Sequence, residues 1–143
     1  MRRALSIALL AVLTITAEAW AAAGTATVTE ISHTSVRKIT WSWTSGTGAE
    51  GGTVTKVTTK AYDGRVIALT TDPGVTAPTD NYDIEVLDAD GHDVLLGAGA
   101  NRDTANTEFV TEASLGAVAG STLTLSITNA GDAKVGVVVL WVR

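Results

Sequence analysis

The chain has 143 residues, a formal net charge of −5 and no cysteine, with 45% hydrophobic and 17% charged residues. That is one domain's worth of chain with enough apolar content for a packed core, which excludes disorder as the main state. Absent cysteine excludes disulfides, thiolate metal sites and a cysteine nucleophile. The ten lysines and arginines are scattered, which disfavours a phosphate-tracking groove for nucleic acid and a polybasic contact with a membrane surface.

In chain order, the first 23 residues stand apart. Met1-Arg2-Arg3 is followed by an apolar run over residues 4–17, then Glu18 and small residues around Ala21 and Ala23. A basic start, an apolar stretch shorter than a membrane span and small residues before a cut are the parts of a secretory signal peptide. Cleavage is expected after Ala21 or after Ala23, giving a signal peptide over residues 1–23 and one domain over residues 24–143. The product is then secreted or periplasmic, with no membrane segment left.

The chain as a whole is rich in β-branched residues, with 23 threonines and 16 valines, which suit pleated strands. Residues 26–34 read as a strand. Residues 38–44 alternate cleanly, with Ile39, Trp41 and Trp43 on one face and Lys38, Thr40, Ser42 and Thr44 on the other. Residues 53–62 read as an edge strand, Asp63-Gly64 as a hairpin turn, and residues 65–70 as the returning strand. Tyr82, Ile84 and Val86 share a face of another strand. Asp90-Gly91 turns the chain into residues 93–96, and residues 97–106 form a small-residue loop. Residues 107–111 suit a short strand, residues 112–119 a turn or short helix, and Leu123, Leu125 and Ile127 alternate in a further strand. Val135–Val142 is almost wholly apolar, as expected of a strand covered on both faces. The cover is either residues 112–119 or another subunit, and a charge at Val138 or Leu140, whichever faces outward, would separate the two. Seven to nine short strands with hairpin turns indicate an all-β fold, an antiparallel β-sandwich or small jelly roll.

The chemistry-bearing residues form no catalytic, cofactor or metal constellation by spacing. Asp88, Asp90 and Asp93 bunch as calcium ligands do, but the glycine and the final acid of a calcium loop are misplaced, and a hairpin turn accounts for them. His33 and His92 are far apart in the chain, and no Gly-x-Ser-x-Gly elbow is present. Asp83 and Glu85 add to the acids near residue 90, but a glycosidase cleft also presents aromatic platforms. The glycines of residues 97–102 lack the Lys-Ser/Thr of a phosphate loop. No enzyme, cofactor or metal ion is expected.

Asp80-Asn81-Tyr82-Asp83-Ile84, Asp88-Ala89-Asp90-Gly91, Gly97-Ala98-Gly99-Ala100-Asn101-Arg102, Leu115-Gly116-Ala117-Val118-Ala119 and Thr128-Asn129-Ala130-Gly131 occur in this order. The order resembles small β-rich virion-associated proteins of tailed bacteriophages and prophages. The resemblance covers residues 24–143 and implies a head-decoration or tail-accessory subunit, present in many copies and located in the virion. The signal-like start departs from that pattern. The function expected is therefore a non-enzymatic structural or surface subunit that associates with itself and with a larger protein assembly. The alternative is a secreted module for cell-surface carbohydrate, with Trp43 and Tyr62 as platforms.

Overall fold

The computed structural model describes residues 20–143, so residues 1–19 of the expected signal peptide lie outside the described residues. The strands are β1 (Thr25–His33), β2 (Val36–Thr44), β3 (Val54–Pro73), β4 (Asp83–Leu87), β5 (Glu108–Thr111), β6 (Ala117–Thr128) and β7 (Val135–Val142). The fold is all-β and antiparallel, as expected. The strands form one sheet in the order β1-β2-β7-β3-β6-β4, with β5 also paired to β3.

β1 and β2 are a hairpin with Val28 opposite Trp41, and β2 places Thr40 opposite Val139 of β7. The expected facing of β2 is found: Ile39, Trp41 and Trp43 are buried in the core, while Lys38, Thr40 and Ser42 lie on the other face. Residues of both arms of the sheet contribute to one core cluster, among them Trp41, Leu69, Tyr82, Leu125 and Leu140.

β3 corrects the sequence reading. The hairpin expected at Asp63-Gly64 does not form, and residues 54–73 are a single strand. An Asp-Gly pair reverses a chain only if its flanks pair with each other. Here the first half of the strand pairs with β6 and the second half with β7 and β5. Gly64 instead serves a β-bulge: the register shifts between Tyr62 and Gly64, and Gly64 has a φ of +121°. A Cβ there would lie 2.3 Å from the Arg143 carbonyl oxygen. Bulges bend a strand and sharpen its twist, so β3 carries the sheet round a corner and serves both arms.

Other boundaries also differ. Residues 93–96 are turns, tied to β4 by an Asp93–Leu87 bridge. The segment expected to cover β7 forms a short 3-10 turn at Glu112–Ser114 and then enters β6 beside β3. Val138 and Leu140 both face the core, because residues two apart on a strand share a face. The outward side chains of β7 are Val135, Val137, Val139 and Trp141, each partly exposed.

Two close fits fix the packing. Gly136 lies opposite Trp43 in the β2–β7 register, and a Cβ on it would sit 2.6 Å from the indole Cζ2. The absence of a side chain there lets the indole lie over β7 and tilt against Tyr82, with ring centroids 5.9 Å apart. At the edge of the sheet, the Glu30 carboxylate of β1 accepts the backbone N–H of Thr59 at 2.9 Å and of Lys60 at 3.3 Å, and the Thr59 hydroxyl. This latch joins β1 to the bulged part of β3, where regular ladder pairing is interrupted. Burial raises the Glu30 carboxyl, but these hydrogen bonds outweigh it and hold the group below its usual value.

Candidate functional site

The sheet arm β1-β2-β7-β3-β5 buries one face and leaves the other toward solvent. The strand registers set the outward side chains in rows. The middle row runs Thr29, Thr40, Val139, Thr70 and Phe109. The row above it runs Ile31, Lys38, Trp141, Ala68 and Thr111, and the row below runs Thr27, Ser42, Val137 and Asp72.

Apolar and aromatic groups run across this face, with Val137, Val139 and Trp141 on its central strand β7, Ile31 on β1 and Phe109 on β5. Phe109 is 64% exposed and Ile31 46% exposed. The Phe109 and Trp141 rings pack with centroids 6.4 Å apart at 59°, a tilted geometry favoured by aromatic quadrupoles. The Lys38 ammonium lies 5.9 Å from the Trp141 ring centroid, within cation–π reach. Trp141 is thus held between a cation on β2 and an aromatic ring on β5. Below the pair, a shallow groove of about 480 Å³ is lined by Thr25, Thr27, Ser42, Thr44, Val135 and Val137, among others. Its lining has hydroxyl and apolar groups and no charged side chain. Such a face can take up apolar and aromatic groups and donate a few hydroxyl hydrogen bonds.

The residues singled out by sequence fall elsewhere. Trp43 is 2% exposed and Tyr62 is 4% exposed, so neither is the sugar platform considered for it. Trp43 fills the space over Gly136, and burial together with the Glu30 charge raises the Tyr62 hydroxyl well above its usual value. The acids of residues 83–93 are spread over loop-building tasks. Asp93 accepts the backbone N–H groups of Val86, Leu95 and Gly97 at 3.2, 3.0 and 2.8 Å. Asp83 accepts the Asn101 N–H at 3.0 Å and the Asn129 side-chain amide at 2.9 Å. Asp88 accepts the N–H groups of Asp90 and His92 at 3.0 and 2.8 Å, and the bond from His92 is the main reason its carboxyl sits below the usual range.

Asp88, Asp90 and His92 bring possible ligand atoms within 4.8 Å of one another, but Asp93 is turned away into its own loop. The arrangement is a solvent-facing turn closed by Asp88, with Gly91 at a φ of +85°. His33 stands exposed at the end of β1. The glycine-rich residues 97–102 edge β4: the Gly99 carbonyl accepts the Ile84 N–H at 2.9 Å and the Tyr82 carbonyl accepts the Arg102 N–H at 2.8 Å.

The Phe109–Trp141 pair was not evident from sequence. Trp141 sits in an apolar run in which alternation is invisible, and Phe109 is an isolated aromatic in a four-residue strand. The one available signal was parity: Trp141 cannot share a face with Leu140. Comparison with protein-family models, with curated proteins and with solved structures finds no match to this chain.

Proposed function

We propose that this chain is a non-enzymatic structural or surface subunit that acts by protein–protein association, of the virion decoration or accessory kind. It reaches its place of work as an exported domain or as a virion component. The observation that carries this reading is the Phe109–Trp141 pair, with Phe109 exposed and Trp141 partly exposed, on a sheet face that also carries Ile31, Val137 and Val139. Apolar faces of this kind mark interaction sites in soluble proteins. The test is size-exclusion chromatography with light scattering at high micromolar concentration. Association that is lost on Val139→Glu, with the far-UV spectrum unchanged, supports the reading. A monodisperse monomer under those conditions overturns self-association.

A second reading draws on the same pair. An exposed and a partly exposed aromatic ring rimmed by Thr70, Thr111 and Lys38 suit stacking on sugar rings, so a carbohydrate-binding module would use Phe109 and Trp141 in place of Trp43 and Tyr62. It predicts a monomer that binds soluble glycan and loses binding on Trp141→Ala.

A further inference from the structure

The charges on the outward face have a definite placement. In the three rows centred on Val139, Lys38 and Asp72 are the charged side chains. Lys38 lies one strand from Val139 on the β2 side and two residues up. Asp72 lies one strand away on the β3 side and two residues down. A cation and an anion thus occupy opposite corners, equally displaced from an apolar centre. Single-sign charge would repel a second copy, whereas one cation and one anion can each meet the partner's opposite charge.

We infer that a second copy of this chain packs face to face on this surface, about a two-fold axis that lies in the interface through Val139 at about 45° to the strands, passing between the Lys38 and Asp72 corners. The inference rests on the self-association proposed above and adds the partner's geometry. An axis in that direction exchanges the two corners, so Lys38 meets the partner's Asp72, and the contact occurs twice. With strands about 4.8 Å apart and same-face residues about 6.7 Å apart, the rotated Lys38 position falls within about 3 Å of Asp72 in the plane. The same rotation sets Trp141 between the partner's Thr70 and the partner's Phe109, and Val139 against its own copy. The strands of the two copies then cross near a right angle, one of the two packings that sheets adopt. A two-fold interface is self-complementary by construction. An axis along the Lys38–Asp72 diagonal would instead bring Lys38 onto the partner's Lys38, which charge repulsion disfavours.

The test uses charge reversal in the full-length chain, followed by sedimentation velocity, with folding of each variant checked by circular dichroism. K38E sets an acid against the partner's Asp72, and D72K sets a cation against the partner's Lys38. Each variant alone is expected to raise the dimer dissociation constant by more than about tenfold, since like charges placed together cost several kcal/mol. The K38E chain mixed with the D72K chain has both contacts of opposite sign, and the dimer is expected to return. A parent that associates, with single variants unaffected and no gain on mixing, overturns this interface and leaves self-association standing. A parent that is monomeric throughout overturns both.

Discussion

Gly136→Ala tests the packing of the core in a way that the sign of the effect alone decides. Gly136 sits in β7 with an ordinary negative φ, so alanine is compatible with its backbone. In an extended strand, alanine in place of glycine favours folding by about 0.5–1 kcal/mol, because glycine loses more backbone freedom. Against this, the new methyl would lie 2.6 Å from Trp43 Cζ2 and 2.9 Å from Cε2, whereas carbon atoms pack at about 3.5–4.0 Å. The indole cannot yield easily, being buried and leaning on Tyr82 at 5.9 Å. Overpacking of this kind costs about 1–3 kcal/mol. The net expectation is a loss of about 0.5–2 kcal/mol, which for a domain of this size lowers the thermal midpoint by about 2–8 °C. Urea unfolding of parent and variant is the assay, with an unchanged m-value confirming that the same surface is exposed. Trp43→Phe should partly relieve the clash, so the double variant should cost less than the sum of the singles. A Gly136→Ala protein as stable as the parent, or strict additivity with Trp43→Phe, would show that the indole does not lie on this glycine.

Trp41→Ala removes a ring with 0% exposure and should cost about 3–5 kcal/mol in urea unfolding, a large share of a domain's roughly 5–15 kcal/mol; an unchanged midpoint would place the ring at the surface. Glu30 has a folded-state carboxyl below its usual value of 4.5, so its stabilisation is present above that value and is lost as pH falls through the folded one. Glu30→Gln should therefore lower stability near neutrality by about 0.5–1 kcal/mol, modest because the site is solvent-screened, and the gap to the parent should narrow as the solution is acidified through the folded-state value; a gap that does not narrow on acidification counts against the latch. Chelator treatment should leave the thermal midpoint unchanged, because a cation saturating the Asp88–Asp90–His92 group at 100 times its dissociation constant would add about 2.7 kcal/mol; a fall of many degrees would assign a metal role to that turn. Intact-mass measurement of exported protein should show a start at Ala22 or Gly24; a start at Ala22 keeps the paired backbone hydrogen bonds between Ala22 and Thr47 at 3.3 and 2.8 Å, and retention of Met1 would refute cleavage.

Strand content and the burial of β2 were legible from residue order, because alternation over Lys38–Ile39–Thr40–Trp41–Ser42–Trp43 is a local property of a pleated strand. The turn at Asp90-Gly91 was legible for the same reason, as a local demand for positive φ. The sense of β7 was not, since a run of Val, Leu and Trp hides its period. Only its neighbours β2 and β3 decide that Val138 and Leu140 point inward and Val139 and Trp141 outward.

The course of β3 was likewise beyond local reading. Asp63-Gly64 carries the same letters in a hairpin and in a bulge. Whether residues 54–62 pair with residues 65–73 or with β6 depends on partners more than 40 positions away. The interaction face shows the division most clearly. Residue order alone established all-β composition, absent cysteine and an inward Trp41. Tertiary pairing brought Phe109 beside Trp141 and put Lys38 and Asp72 at opposite corners of one surface, because strand order and register are set by long-range burial that no short stretch of sequence contains.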